Sequence, residues 1–207
     1  MNSLNRFNWI ARYYDRLVSL VFGRTLYRAQ LHFLNSIHPY ASVLILGGGS
    51  GRFLQALLTV QPSVKVTYIE ASSSMLLLSR KKVNDNPNVV FIHGTHLNIP
   101  DINYDVVITN FVLDVFPQDE IESVVKRIST SLKTESRWLI TDFEKSQRWQ
   151  HRFMLKMMYL FFRVTGSVVA KDLPAWRPIV LREGFQPRGI KFFYGGFVSA
   201  NLYVRNH

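Results

Sequence analysis

Apolar residues in the middle of the chain fall into short unbroken runs separated by stretches with helical spacing. Residues 42–46, SVLIL, form a run of mostly branched side chains that stops at a glycine cluster; Phe53, Leu54, Leu57 and Leu58 then recur at helical intervals. Strand, loop and helix is the predicted order. A second run, 64–69, ends at Glu70, and Ser72-Ser73-Ser74 follows as a helix start ahead of Met75-Leu76-Leu77-Leu78. Residues 89–92, 105–109 and 137–141 are three more candidate strands, with a helix predicted over 119–132. Strands that are apolar throughout and alternate with helices imply an α/β fold whose mostly parallel sheet is covered on both faces.

Two flanks differ from this core. Residues 1–40 are predicted helical, with Trp9, Ile10, Tyr13, Leu17 and Leu20 close to one face and Pro39 marking the passage into the first strand. Residues 144–183 are predicted as inserted helices, the first rich in aromatics and methionine. The tail, 184–207, contains two strands joined at Gly195-Gly196, so the sheet is expected to close with an antiparallel C-terminal pair. One domain of 207 residues accommodates all of this: a core over 41–143 with N-terminal and inserted helices as a lid.

Composition and charge refine the picture. A hydrophobic share of 47% with 19% charged residues is that of a globular protein, and the absence of cysteine excludes disulfides, thiolate metal sites and cysteine nucleophiles. The first residues lack the apolar stretch and cleavage site of a secretory signal, so the expected location is the cytoplasm. The net charge of +11 lies entirely outside the core: residues 1–40 carry +4, 41–143 carry −1 and 144–207 carry +8. Such flanks attract phosphates of lipid, nucleic acid or small molecules without choosing among them.

The chemistry-bearing feature is Gly47-Gly48-Gly49-Ser50-Gly51. A glycine loop between a first strand and its helix lets backbone amides approach a ligand closely. Arg52 stands where a dinucleotide fingerprint wants a third glycine or alanine, which disfavours nicotinamide and flavin enzymes. Glu70, at the end of the second strand, is placed to accept the hydroxyls of a ribose. Loop and carboxylate together imply an adenosine-type ligand. No His/Asp/Glu cluster has metal-ligand spacing, so no metal is expected.

With these residues the sequence resembles the class I methyltransferases that use S-adenosylmethionine and release S-adenosylhomocysteine. VLILGGGSG (43–51), YIEASSSML (68–76), FIHGTHLNIP (91–100) and YDVVITNFVL (104–113) are similar, in order, to their first four strand motifs. The resemblance implies a Rossmann-like doubly wound sheet. It also implies that Gly47, Gly48, Gly49 and Gly51 hold the methionine part of the cofactor, that Glu70 binds the ribose and that Ala71 and Met75 flank the adenine. Thr95 stands where an aspartate usually meets the adenine amino group, and Asn110 where the fourth strand opens toward the sulfonium. Ile45 occupies the usual acidic position of the first motif.

The ends resemble a narrower group. YDRLVSLVFG (14–23) and GFQPRGIKFFYGGFV (184–198) look like segments of the ubiquinone and menaquinone biosynthesis C-methyltransferases, which implies a small hydrophobic, aromatic or lipid-like acceptor. Candidate catalytic residues are Tyr14, Asp114 and His151, with Tyr14 also a candidate cofactor cover. Residues 149–163 are too short to span a bilayer, but their arginines and lysine gather on one side, which suits a helix over a greasy pocket or at an anionic membrane surface. A phospholipid N-methyltransferase, a nucleic-acid methyltransferase and a non-catalytic cofactor-binding module remain alternatives; Phe111-Val112 after Asn110 disfavours the nucleic-acid enzyme, whose amino-directed members follow that asparagine with Pro-Pro and an aromatic.

Overall fold

The computed structural model describes residues 24–155 and 172–206. Each apolar run forms a strand: β1 Ser42–Leu46, β2 Lys65–Glu70, β3 Val89–His93, β4 Tyr104–Asn110 and β5 Leu132–Phe143. Two more, β6 Gln186–Phe193 and β7 Val198–Arg205, complete a seven-stranded sheet in the order β3-β2-β1-β4-β5-β7-β6. The first five are parallel, and β7 runs antiparallel to both β5 and β6. This is the expected doubly wound sheet with an antiparallel C-terminal pair.

The helices are α1 Thr25–Leu31, α2 Arg52–Val60, α3 Ser73–Lys82, α4 Ile121–Thr130 and α5 Trp176–Arg182. They bury the two faces of the sheet separately. Ile121, Val124, Val125 and Ile128 give α4 an apolar stripe that packs with Trp176 and Ile179 of α5 onto Leu44, Val107, Trp138 and Ile140. On the other face Phe53, Leu54 and Leu57 of α2 and Leu76 of α3 pack onto Val43, Ile45, Val106 and Ile108. Fully buried Trp138 keeps its indole satisfied by donating to Thr109 Oγ1 at 3.1 Å.

The prediction differs at three edges. The helix expected over 119–132 spans only Ile121–Thr130, and the strand expected over 137–141 begins at Leu132. The polar run Lys133–Arg137 has no strand pattern of its own; it is recruited because Ser136 and Arg137 pair with Arg205 and Val204 of β7. The first tail strand likewise starts at Gln186, ahead of the run from Ile190 that the sequence marks as strand, since Gln186 and Pro187 pair with Val204 and Tyr203. Of the N-terminal helical region only α1 is described, and of the inserted helix residues 149–155 are helical. Tyr14 and residues 156–163 lie outside the described residues. No helix among the described residues is long and apolar enough to cross a membrane.

Candidate cofactor and acceptor site

Parallel register brings the carboxyl ends of β1, β2, β3 and β4 to one edge of the sheet, where ligands of open α/β sheets bind. Gly47, Gly49 and Gly51 all take left-handed φ, at 64°, 64° and 79°. The turn is anchored from β2. Gly47 N–H donates to Ile69 O at 2.8 Å, and the Tyr68 hydroxyl donates to Gly49 O at 2.8 Å. Burial, reinforced by the Glu70 charge, pushes the Tyr68 phenol far up, so it stays a donor.

Glu70 clamps two loops at once. Its Oε2 accepts from Gly49 N–H and its Oε1 from Ser72 N–H, both at 2.8 Å. A carboxylate has about four acceptor positions, so a half-buried Glu70 keeps capacity for ribose hydroxyls after both bonds are made. A side chain at Gly48 would strike the Tyr68 ring at 2.2 Å and one at Gly47 would strike Val112 at 2.5 Å, whereas the position beside Gly49 is open to 4 Å. A cradle with a bare backbone, an open side and a ribose acceptor fits the methionyl and ribose parts of S-adenosylmethionine.

Exposed Ala71 and half-buried Met75 follow Glu70, with Met75 N–H donating to the Ser72 cap at 3.4 Å. Ala71 O accepts from His93 Nε2 at 2.9 Å, which ties this loop to the end of β3. Thr95, exposed at that end, accepts from Leu97 N–H through Oγ1 and so caps the short helix His96–Asn98. Ile45, at the position that the resemblance makes acidic, is 2% exposed and packs in the core beside Tyr68 and Ile108.

Asn110 ends β4 half-buried, and the chain then turns sharply at Phe111, whose φ of 58° is left-handed. The turn separates two contacts: Val112 packs under Gly47, while the Phe111 ring meets Phe143 at 4.9 Å. Phe143 in turn meets Phe197 at 5.1 Å, and His151 stacks on Phe197 at 4.6 Å and 20°. Leu173, Met154 and Tyr194 complete this aromatic cluster. His151 is buried, bonded through Nδ1 to Ser146 Oγ at 2.8 Å; burial and then Arg148 lower its pKa, so it is neutral at pH 7.

Asp114 lies in the short helix Leu113–Val115, 4% exposed, with its carboxyl against that of Asp142. Burial pushes Asp114 up to about 7 and, with the Asp114 charge, raises Asp142 well above the ordinary carboxyl range. Sequence patterns single out neither Asp142 nor the aromatics Phe143 and Phe197; the signal available for Asp142 is an acid ending an apolar run, as Glu70 does. No cluster of potential metal ligands occurs among the described residues.

Residues 43–135 match the family model described as "Methyltransferase domain". A curated relative, mitomycin biosynthesis 6-O-methyltransferase of Streptomyces lavendulae, is 29% identical over 107 residues, 49% of this chain and 30% of the relative. The chain therefore spans under a third of that relative's length. Among solved structures, 1,6-didemethyltoxoflavin-N1-methyltransferase of Burkholderia thailandensis, with bound 1,6-didemethyltoxoflavin and S-adenosylhomocysteine, superposes with a TM-score of 0.71 at 14% identity. That alignment covers 99% of this chain and 88% of the other. A chain from the complex of the Haloferax volcanii Trm112 methyltransferase activator with a methyltransferase gives 0.73 at 14% identity over 96% and 95%. Residues 43–135 thus match a methyltransferase domain, and the glycine loop, Glu70 and the sheet order fit its Rossmann-like, S-adenosylmethionine-dependent class.

Proposed function

We propose that this protein binds S-adenosylmethionine on the Gly47–Gly51 loop and Glu70 and directs its methyl group to a small acceptor with an apolar or aromatic face. The observation that carries the acceptor class is the Phe111 turn. It joins Asn110 and Val112, next to the glycine loop, to the wall of Phe111, Phe143 and Phe197. A flat ring resting on half-buried Phe111, which buried Phe143 and Phe197 back, gains both area burial and ring–ring contact. The methyltransferases of mitomycin biosynthesis and of 1,6-didemethyltoxoflavin act on small molecules, in keeping with this class.

When bound, S-adenosylmethionine supplies an electrophilic methyl on a sulfonium. The protein's part is positioning and exclusion of water, which suffices for an in-line displacement. Glu70 and the glycine amides fix one partner and the aromatic wall fixes the other. His151 is the candidate proton acceptor: in the tautomer whose Nδ1–H donates to Ser146 Oγ, Nε2 carries the free lone pair. Asp114 is a weaker candidate, because its carboxyl is engaged with Asp142.

The test is transfer of labelled methyl from S-adenosylmethionine to a panel of hydroxylated aromatics and quinones, with aliphatic alcohols as controls. Label on the aromatic members alone supports the acceptor class; label on the aliphatic ones alone refutes it. A second reading, contact with an anionic membrane, is favoured by Trp149 and Phe153, 74% and 58% exposed and one helical turn apart, beside exposed Arg148 and Arg152. Sedimentation with phosphatidylserine vesicles but not phosphatidylcholine vesicles is its expected outcome.

A further inference from the structure

At the edge of the sheet opposite the glycine loop, two breaks in strand register open the same space. On one side Tyr104 pairs with Leu132 but Val106 pairs with Arg137, so residues 133–136 of β5 are surplus to the β4 ladder. On the other, Pro187 pairs with Tyr203 and Gly189 with Leu202, leaving Arg188 as the extra residue of a bulge in β6. Bulges re-aim the side chain they release and are over-represented beside functional sites. Between them lies a cavity of about 580 Å³, lined in part by Ser136, Arg137, Arg188 and Arg205. That volume is within the range of small-molecule sites, roughly 300–1,000 Å³.

Three arginines and two carboxylates line this cavity. Arg137 spends one N–H on the carbonyl of Ser36, and Arg205 spends its donors on Ser129 Oγ and the carbonyls of Ser129, Leu132 and Lys133. Those partners are uncharged, so neither guanidinium is spent on an ion pair among the described residues, although the Glu183 charge acts on Arg205. Arg188 is exposed and has no ion pair among the described residues. Two carboxylates also line the space, Asp105 and Glu135, but Asp105 is already bound by Lys133 at 2.7 Å and by Ser42 N–H at 2.8 Å. Burial disfavours its charge, yet those bonds to Lys133 and Ser42 outweigh it and hold its pKa below the usual range. The second observation is Ser136. It is 3% exposed, and its Oγ, buried in the cavity lining, has no hydrogen-bond partner among the described residues, an arrangement that costs free energy unless a ligand fills it.

We propose that this cavity binds the phosphate group of a small molecule, with Arg188, Arg137 and Arg205 supplying charge and Ser136 donating its hydroxyl. Planar guanidiniums on fixed backbone are suited to tetrahedral oxyanions. The site lies at the strand ends remote from the cofactor loop and needs nothing from it.

The test uses the full chain at constant ionic strength, with inorganic phosphate and glycerol 3-phosphate as separate probes. Phosphorus NMR line broadening and the rise in Tm are the readouts. Both probes, or the ester alone, are expected to bind; tighter binding of the ester identifies an organic phosphate, and equal binding identifies free phosphate as the source. Arg188→Gln, which removes an exposed side chain with no structural partner, is expected to weaken binding about tenfold while leaving the ligand-free Tm unchanged. Ser136→Ala is expected to weaken it severalfold. Absence of broadening and of a Tm rise with both probes overturns the proposal, as does an Arg188→Gln protein that binds as tightly as the wild type.

Discussion

Asp114 donates its backbone N–H to Asp142 Oδ2 at 3.3 Å, and the two buried carboxyls hydrogen-bond to each other beneath the end of β4. Asp142 Oδ1 also accepts from Phe143 N–H at 2.9 Å. The pair therefore links the Leu113–Val115 turn to the strand that supplies Phe143. A carboxyl with a folded pKa above its unfolded value, about 4, favours the fold while it is protonated. That contribution is complete below pH about 4 and is lost as the pH rises through about 7, the value to which burial pushes Asp114.

Stability is accordingly expected to fall between about pH 4 and 7, and Asp114→Asn to flatten the fall. Asparagine still accepts the Asp142 proton through its Oδ1 but cannot ionise, so the variant gains about 1–3 kcal/mol over the wild type at pH 8 and little at pH 4. Calorimetric Tm across that range is the check. Parallel profiles for the two proteins contradict the account of the pair.

Gly49 and Gly51 share a left-handed φ but differ in surroundings, and their alanine variants are expected to fail differently. A Cβ at Gly51 would lie 2.8 Å from Ser79 Cα, backbone that cannot step aside, so Gly51→Ala should cost about 3 kcal/mol in stability. A Cβ at Gly49 meets nothing within 4 Å, so Gly49→Ala should cost about 1–2 kcal/mol while lowering affinity for S-adenosylhomocysteine at least tenfold. Denaturant unfolding and calorimetric titration of both variants separate the effects; equal losses in both measurements argue against an open cradle at Gly49.

Arg177 holds the base of the aromatic cluster together. Its guanidinium reaches Glu144, Ser199 at 3.0 Å, Asn201 at 2.8 Å and the Tyr203 hydroxyl at 3.2 Å. Arg177→Met keeps the aliphatic contact but leaves Glu144 without its cation, and about 1–3 kcal/mol of stability should be lost. Glu144→Gln in the same background should recover part of it. Unfolding midpoints for the single and double variants decide this, and an unchanged midpoint in Arg177→Met removes the network from the fold's support.

The parallel core is legible in the sequence because SVLIL and its successors are apolar on both faces, a pattern that only a doubly covered sheet requires. The glycine loop and Glu70 are legible for a related reason: each ends a strand, and strand ends in such a sheet share one edge. What is not legible is assembled from distant segments. Lys133–Arg137 is polar and becomes strand only through β7. Asp114 and Asp142 are 28 residues apart and meet because β4 and β5 are neighbours. Phe143 and Phe197 look like ordinary core residues until the Phe111 turn carries a third ring to them.

The central claim is that the glycine loop and Glu70 form the cofactor site, and calorimetric titration with S-adenosylhomocysteine tests it most directly. The wild type is expected to bind with one site per chain. Glu70→Ala, which loses the acceptor for ribose and for the Gly49 and Ser72 amides, is expected to bind at least tenfold more weakly. No heat with the wild type, or equal affinity in the variant, would contradict the account.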